Sequence, residues 1–97
     1  MFIVLLKFSA NKSQAGQFME AHKAWIKRGF DDGVFLMVGS LQSASGGGIL
    51  AHNTNLAALQ TRVDEDPFVI EDIVSAEVIE ITPSRVDPRL EFVTQLT

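Results

Sequence analysis

The chain is 97 residues long, with 46% hydrophobic and 21% charged residues, seven Phe and one Trp, a composition that suits a single globular domain and neither a disordered polymer nor a lipid-embedded one. A domain of this size buries only roughly 60 to 70% of the surface its unfolded chain exposes, so each core position carries weight. Eight Lys and Arg against twelve Asp and Glu give a net charge of −4, which argues against nucleic acid as a partner, and zero cysteines exclude a disulfide framework, a thiolate nucleophile, an iron–sulfur cluster and a Cys-ligated zinc site.

Met1 to Lys7 holds an apolar run too short to span a bilayer, with no basic region or small-residue cleavage site beside it. It reads as a strand, and the expectation is a cytoplasmic protein that meets no membrane. Phe2 to Phe8 is apolar on both alternating faces, with Phe2, Val4, Leu6 and Phe8 on one and Ile3 and Leu5 on the other, which predicts a central strand covered on both sides. Asn11 and Ser13 offer helix N-cap side chains. From Ser13 to about Phe30, apolar residues recur at helical spacing through Ala15, Phe18, Met19, His22, Trp25, Ile26 and Gly29, predicting an amphipathic helix. Asp31-Asp32-Gly33 is turn chemistry. Val34 to Leu41 follows as a strand, with Val34, Leu36 and Val38 expected on one face and Phe35, Met37 and Leu41 on the other. Gly46 to His52 reads as its hairpin partner.

Asn53-Thr54-Asn55 is a second cap cluster, and Leu56, Leu59 and Val63 predict a shorter helix ending in Asp64-Glu65-Asp66, because a residue before Pro67 is pushed out of the α region. Phe68 to Asp72 can add one more turn. Ile73 to Thr82 mixes Glu77 and Glu80 with Val78, Ile79 and Ile81 as a last strand that Pro83 closes. The order βαββαβ is the split arrangement of the ferredoxin-like fold, an α+β domain whose four-stranded antiparallel sheet carries two helices on one face. Residues 1–83 form this domain. Residues 84–97 are a C-terminal tail whose Leu90, Phe92, Val93 and Leu96 suit packing at an oligomer interface, the alternative being an end that frays. Strands apolar on both faces require a cover for the open face, and in so short a chain the expected cover is a second copy, packed sheet to sheet as a homodimer or a higher assembly.

His22 stands four residues after Phe18 and four before Ile26, in the middle of the stripe that faces the sheet. It reads either as a core histidine bonded to a backbone carbonyl or as a general acid or base, since imidazole ordinarily titrates near working pH. Asp66 before Pro67 is an ideal N-cap and N1 pair. It is also a candidate partner for His22, because the end of the second helix lies within reach of the buried stripe of the first. A carboxylate accepting a ring N–H fixes the tautomer and makes the imidazole a better base.

The segments Glu20-Ala21-His22, Gly39-Ser40-Leu41, Gly47-Gly48-Ile49-Leu50 and Asp66-Pro67-Phe68 together resemble the YCII-related family, small proteins of the dimeric α+β barrel class, over roughly residues 1 to 82. The Asp-Pro-Phe step at this distance from a helix-borne histidine is the most specific element. The resemblance implies a ferredoxin-like protomer, a dimer and an active site on a His–Asp pair, which fall here on His22 and Asp66. It also implies lyase, dehalogenase- or dehydrochlorinase-like chemistry on small aromatic compounds, without a cofactor. Family members commonly carry Gly-Pro where this chain has Gly39-Ser40.

Ser40 either hydrogen-bonds a ligand at the end of its strand or bonds its own backbone, and nothing resembling a nucleophile elbow surrounds it. Gly46-Gly47-Gly48 suits a hairpin or bulge and lacks the Lys-Ser or Lys-Thr pair of a phosphate loop. His52 reads as a surface residue, and no spacing matches a metal site. Phe18 and Trp25 belong to the core, or form an aromatic lip that binds a flat substrate beside His22. The leading expectation is a small cofactor-free enzyme in which His22, oriented by Asp66, moves a proton on a small aromatic or carbonyl-bearing molecule. The rival is a ligand-binding or protein-interaction module on the same fold, and a cofactor-free monooxygenase ranks last.

Overall fold

The computed structural model describes residues 1–94. Strand β1 spans Phe2–Phe8, and a 3-10 turn over Lys12–Gln14 leads into helix α1, Ala15–Asp31. Strands β2, Phe35–Ser40, and β3, Gly46–Ala51, form a hairpin. Helix α2, Leu56–Asp64, a single-turn helix α3, Pro67–Ile70, and strand β4, Val74–Glu80, follow, and a 3-10 segment covers Pro88–Thr94. The strands pair antiparallel in the order β2-β3-β1-β4, so the first strand lies in the middle of the sheet between the last strand, β4, and the β2–β3 hairpin. This is the ferredoxin-like α+β fold, with α3 as the extra turn at Asp66-Pro67. Among the described residues no helix is long and apolar enough to cross a membrane.

Two helix starts are built differently. Asn55 caps α2 as its side chain suggests, its Oδ1 accepting from Ala58 N–H at 2.8 Å. Asn11 and Ser13 do not cap α1, which begins two residues later than expected. The Asn11 amide instead donates to the Glu71 carbonyl at 2.9 Å and its backbone N–H to the Asp72 carbonyl, tying the start of α1 to the end of α3. A local cap loses here to a tertiary hydrogen bond.

The core lies between the helices and one face of the sheet. Phe2, Val4 and Leu6 of β1 meet Trp25 of α1, Leu59 and Val63 of α2 and Phe68 of α3, all buried. In β2 the expected faces are corrected by a bulge. Phe35 pairs with Ala51 but Met37 with Leu50, leaving Leu36 as the extra residue. Phe35 and Val38 therefore face the helices, and Met37 and Gly39 face away. Room for the Phe35 ring comes from Gly29, where a Cβ would stand 2.1 Å from that ring.

On the other face of the sheet, Ile3, Leu5, Met37, Leu50 and Ile79 form an apolar surface with Glu77 and Lys7 among them. Helices α1, α2 and α3 pack against the opposite face. After Pro83 the chain folds back on the domain, where Val93 is fully buried and the Phe92 ring meets His52 edge-on at 5.6 Å. Leu96 lies outside the described residues.

Gly46 opens β3 at φ +146°, and a Cβ there would stand 1.9 Å from the Leu6 carbonyl oxygen. Gly46→Ala is expected to cost about 3 kcal/mol or more, combining backbone strain with a forced shift of β1 against β3. Urea unfolding checks this, and an unchanged midpoint would refute the close packing of these strands.

Candidate active site

Helix α1 presents His22 from its middle turns, with the side chain only 13% exposed. Helix α2 stops at Asp64, and Pro67 holds Asp66 in an extended conformation at φ −63°, ψ 124°. That bend turns the Asp66 side chain inward, where it is fully buried. Its Oδ1 accepts the Phe68 backbone N–H at 3.0 Å, capping α3, and the same oxygen stands 2.7 Å from His22 Nδ1. The cap and the partner of His22 are one atom. Because Oδ1 already serves as an acceptor, Nδ1 is the donor, and a neutral imidazole then keeps Nε2 as an unprotonated acceptor. Asp66 Oδ2 is buried without a hydrogen-bond partner among the described residues.

Phe68 fixes the ring plane. It stacks on His22 with centroids 3.9 Å apart and planes within 2°, while Trp25 lies at 5.9 Å and 23°. The imidazole is thus held by one hydrogen bond and one aromatic face, with its remaining nitrogen left for a ligand.

His22 and Phe68 form part of the wall of a cavity of about 330 Å³ between α1 and the sheet. Leu6, Val38 and Ile49 supply its apolar floor, and Ser40 with Gly46–Gly48 forms the rim at the β2–β3 hairpin. The volume is in the range of small-molecule sites and exceeds the roughly 150 Å³ that suffices for benzene.

A solved protein with a similar backbone is the 5-chloro-2-hydroxyhydroquinone dehydrochlorinase of Burkholderia phenoliruptrix in complex with 2,5-dihydroxybenzoquinone, which superposes with a TM-score of 0.68 over 84% of this chain and 94% of that one. The two chains are 13% identical. What is shared is the fold. No protein-family model matches the chain, and no curated protein matches it in sequence.

The structure brings His22, Asp66 and Ser40 to this region and packs Phe18 and Trp25 into the core behind it. Trp25 is 1% exposed and donates from Nε1 to the Arg62 carbonyl at 2.9 Å, joining α1 to α2, and Phe18 packs against the core. Neither lines the cavity, so the aromatic lip expected of them is corrected in favour of Phe68. Met19, Lys23 and Ile26 also face the cavity. Their signal was their spacing, three before, one after and four after His22, which carries the cavity side of α1. Gly46–Gly48 serves as the hairpin and as cavity wall at once. His52 sits at the end of β3 against Phe92, away from the cavity. Among the described residues no three His, Asp or Glu side chains gather as a metal site requires.

Proposed function

We propose that this protein is a small homodimeric enzyme of the YCII-related family, acting in the cytoplasm, in which His22 transfers a proton on a small aromatic substrate held in the cavity. The observation that carries the reading is the 2.7 Å contact between His22 Nδ1 and the fully buried Asp66, made at the wall of an apolar cavity. The carboxylate orients the ring and stabilises it when it takes up a proton, and Nε2 is the base. Removal of a substrate proton at Nε2, with the freed electron pair moving into the ring system as halide departs, amounts to net loss of HX. It needs neither oxidant nor reductant. The dehydrochlorinase on the same fold supports this class of reaction. The apolar outer face of the sheet supports the homodimer, and the tail residues Leu90 and Phe92 are 41% and 44% exposed.

Anaerobic incubation with a panel of chlorinated and hydroxylated single-ring compounds tests the reading, with chloride measured by ion chromatography and products by mass spectrometry. Chloride release by the wild type, lost in His22→Gln, is the expected result. Compounds retained unchanged across the panel would assign the cavity to a binding module, and turnover that requires oxygen would assign it to a monooxygenase.

A further inference from the structure

The charge of the cavity is opposite to that of the chain. The protein carries a net charge of −4, yet the cavity is lined by a lysine and an imidazole and by no carboxylate. Asp66 stands behind His22, fully buried and engaged with it. Of the α1 cations Lys23, Lys27 and Arg28, Lys23 is the one that lines the cavity. Lys27, one turn on, pairs with Asp31 at 2.6 Å, and Arg62 of α2 pairs with Asp32 at 3.0 Å, whereas Lys23 makes no ion pair among the described residues. An unpaired ammonium at the rim of an apolar cavity lacks a counter-charge that a ligand can supply. Facing it across the cavity are the Ser40 hydroxyl and the apolar surfaces of Leu6, Ile49 and Phe68, which suit a flat ring.

From this arrangement we infer that the cavity selects one-ring aromatic anions, with Lys23 binding the anionic oxygen, a carboxylate or a phenolate, while the ring lies against Phe68 and the sheet. The inference rests on the reading of the cavity as the substrate site. Lys23 is a specificity residue: it sets which molecules dwell beside His22 and takes no part in moving the proton.

Benzoate and benzamide are nearly isosteric and differ in charge at neutral pH, so their affinities measured by ligand-observed NMR at low salt isolate the effect of Lys23. Wild type is expected to bind benzoate roughly tenfold more tightly than benzamide, with the preference shrinking as salt rises. Lys23→Met keeps the apolar stem and should bring the ratio near one by weakening benzoate alone, and Lys23→Arg should restore it. Lys27→Met, one turn away and outside the cavity, should leave the ratio as in wild type. Equal affinities in the wild type, no detectable binding of benzoate, or a preference that survives Lys23→Met would each overturn the inference. Failure of the enzymatic reading looks different, since the charge preference would stand and follow Lys23 while no compound is turned over.

Discussion

Asp66→Ala is expected to destabilise the protein by about 3 to 5 kcal/mol, a large share of the roughly 5 to 15 kcal/mol that holds a domain of this kind together. The substitution removes an acceptor used twice, leaving the His22 Nδ1–H and the Phe68 N–H buried without partners, and it also opens a small void. Asp66→Asn separates the two duties. Its amide oxygen can still accept from Phe68, so α3 remains capped and the fold survives. The amide is neutral, however, so it holds the His22 Nδ1–H less strongly than the carboxylate does and no longer stabilises the imidazolium formed when Nε2 takes up a proton. Turnover should fall by roughly a hundred- to ten-thousandfold while the circular dichroism spectrum is retained. Nitrogen-15 NMR of the imidazole supplies the independent reading: Nδ1 carries the proton in wild type, and the Nε2–H tautomer gains in Asp66→Asn. A wild-type His22 protonated at Nε2 alone would sink the orientation argument, whatever the kinetics.

The second large effect is expected at the outer face of the sheet. Leu50 pairs with Ile3 on one side and Met37 on the other, at the centre of the apolar surface opposite α1, α2 and α3. Leu50→Lys is expected to convert a dimer into a monomer, because an ammonium buried against a second apolar sheet has no partner and its desolvation far exceeds what dispersion returns. Size-exclusion chromatography with light scattering reads the mass directly. Glu77→Gln, on the same face, changes charge without burying one and should leave the mass unaltered. A wild-type chain that is monomeric at every concentration, or a Leu50→Lys variant that remains dimeric, would remove the sheet face as an interface.

Much of this was legible from residue patterns. The order of elements followed from alternating and helical periodicity, and Asp66-Pro67 announced both the end of α2 and the cap of α3 from local chemistry alone. His22 and Asp66 could be named together because the fold lays the end of α2 beside the inner stripe of α1. The faces of β2 were not legible, since a bulge is decided by how Phe35 fits over Gly29, a contact between distant segments. Nor was the division of the α1 stripe. At 3.6 residues per turn, Met19, Ile26 and Lys23 stand about 40° to 100° to one side of His22, and Phe18, Trp25 and Gly29 about 20° to 60° to the other. The first group borders the cavity and the second packs in the core. Periodicity shows that His22 lies on the buried stripe, but only packing shows that it marks the border.

That border position places an optical reporter inside the molecule. The chain has one tryptophan and no tyrosine, so indole emission arises from Trp25 alone. The indole is buried, its N–H is bonded to the Arg62 carbonyl, and its ring lies 5.9 Å from that of His22. A buried indole emits to the blue of a hydrated one, and a protonated imidazole at this range quenches it by accepting an electron from the excited state, which a neutral imidazole does not. Emission wavelength therefore follows unfolding, and emission intensity follows the charge on the one imidazole that faces the cavity, in the unlabelled protein and in real time.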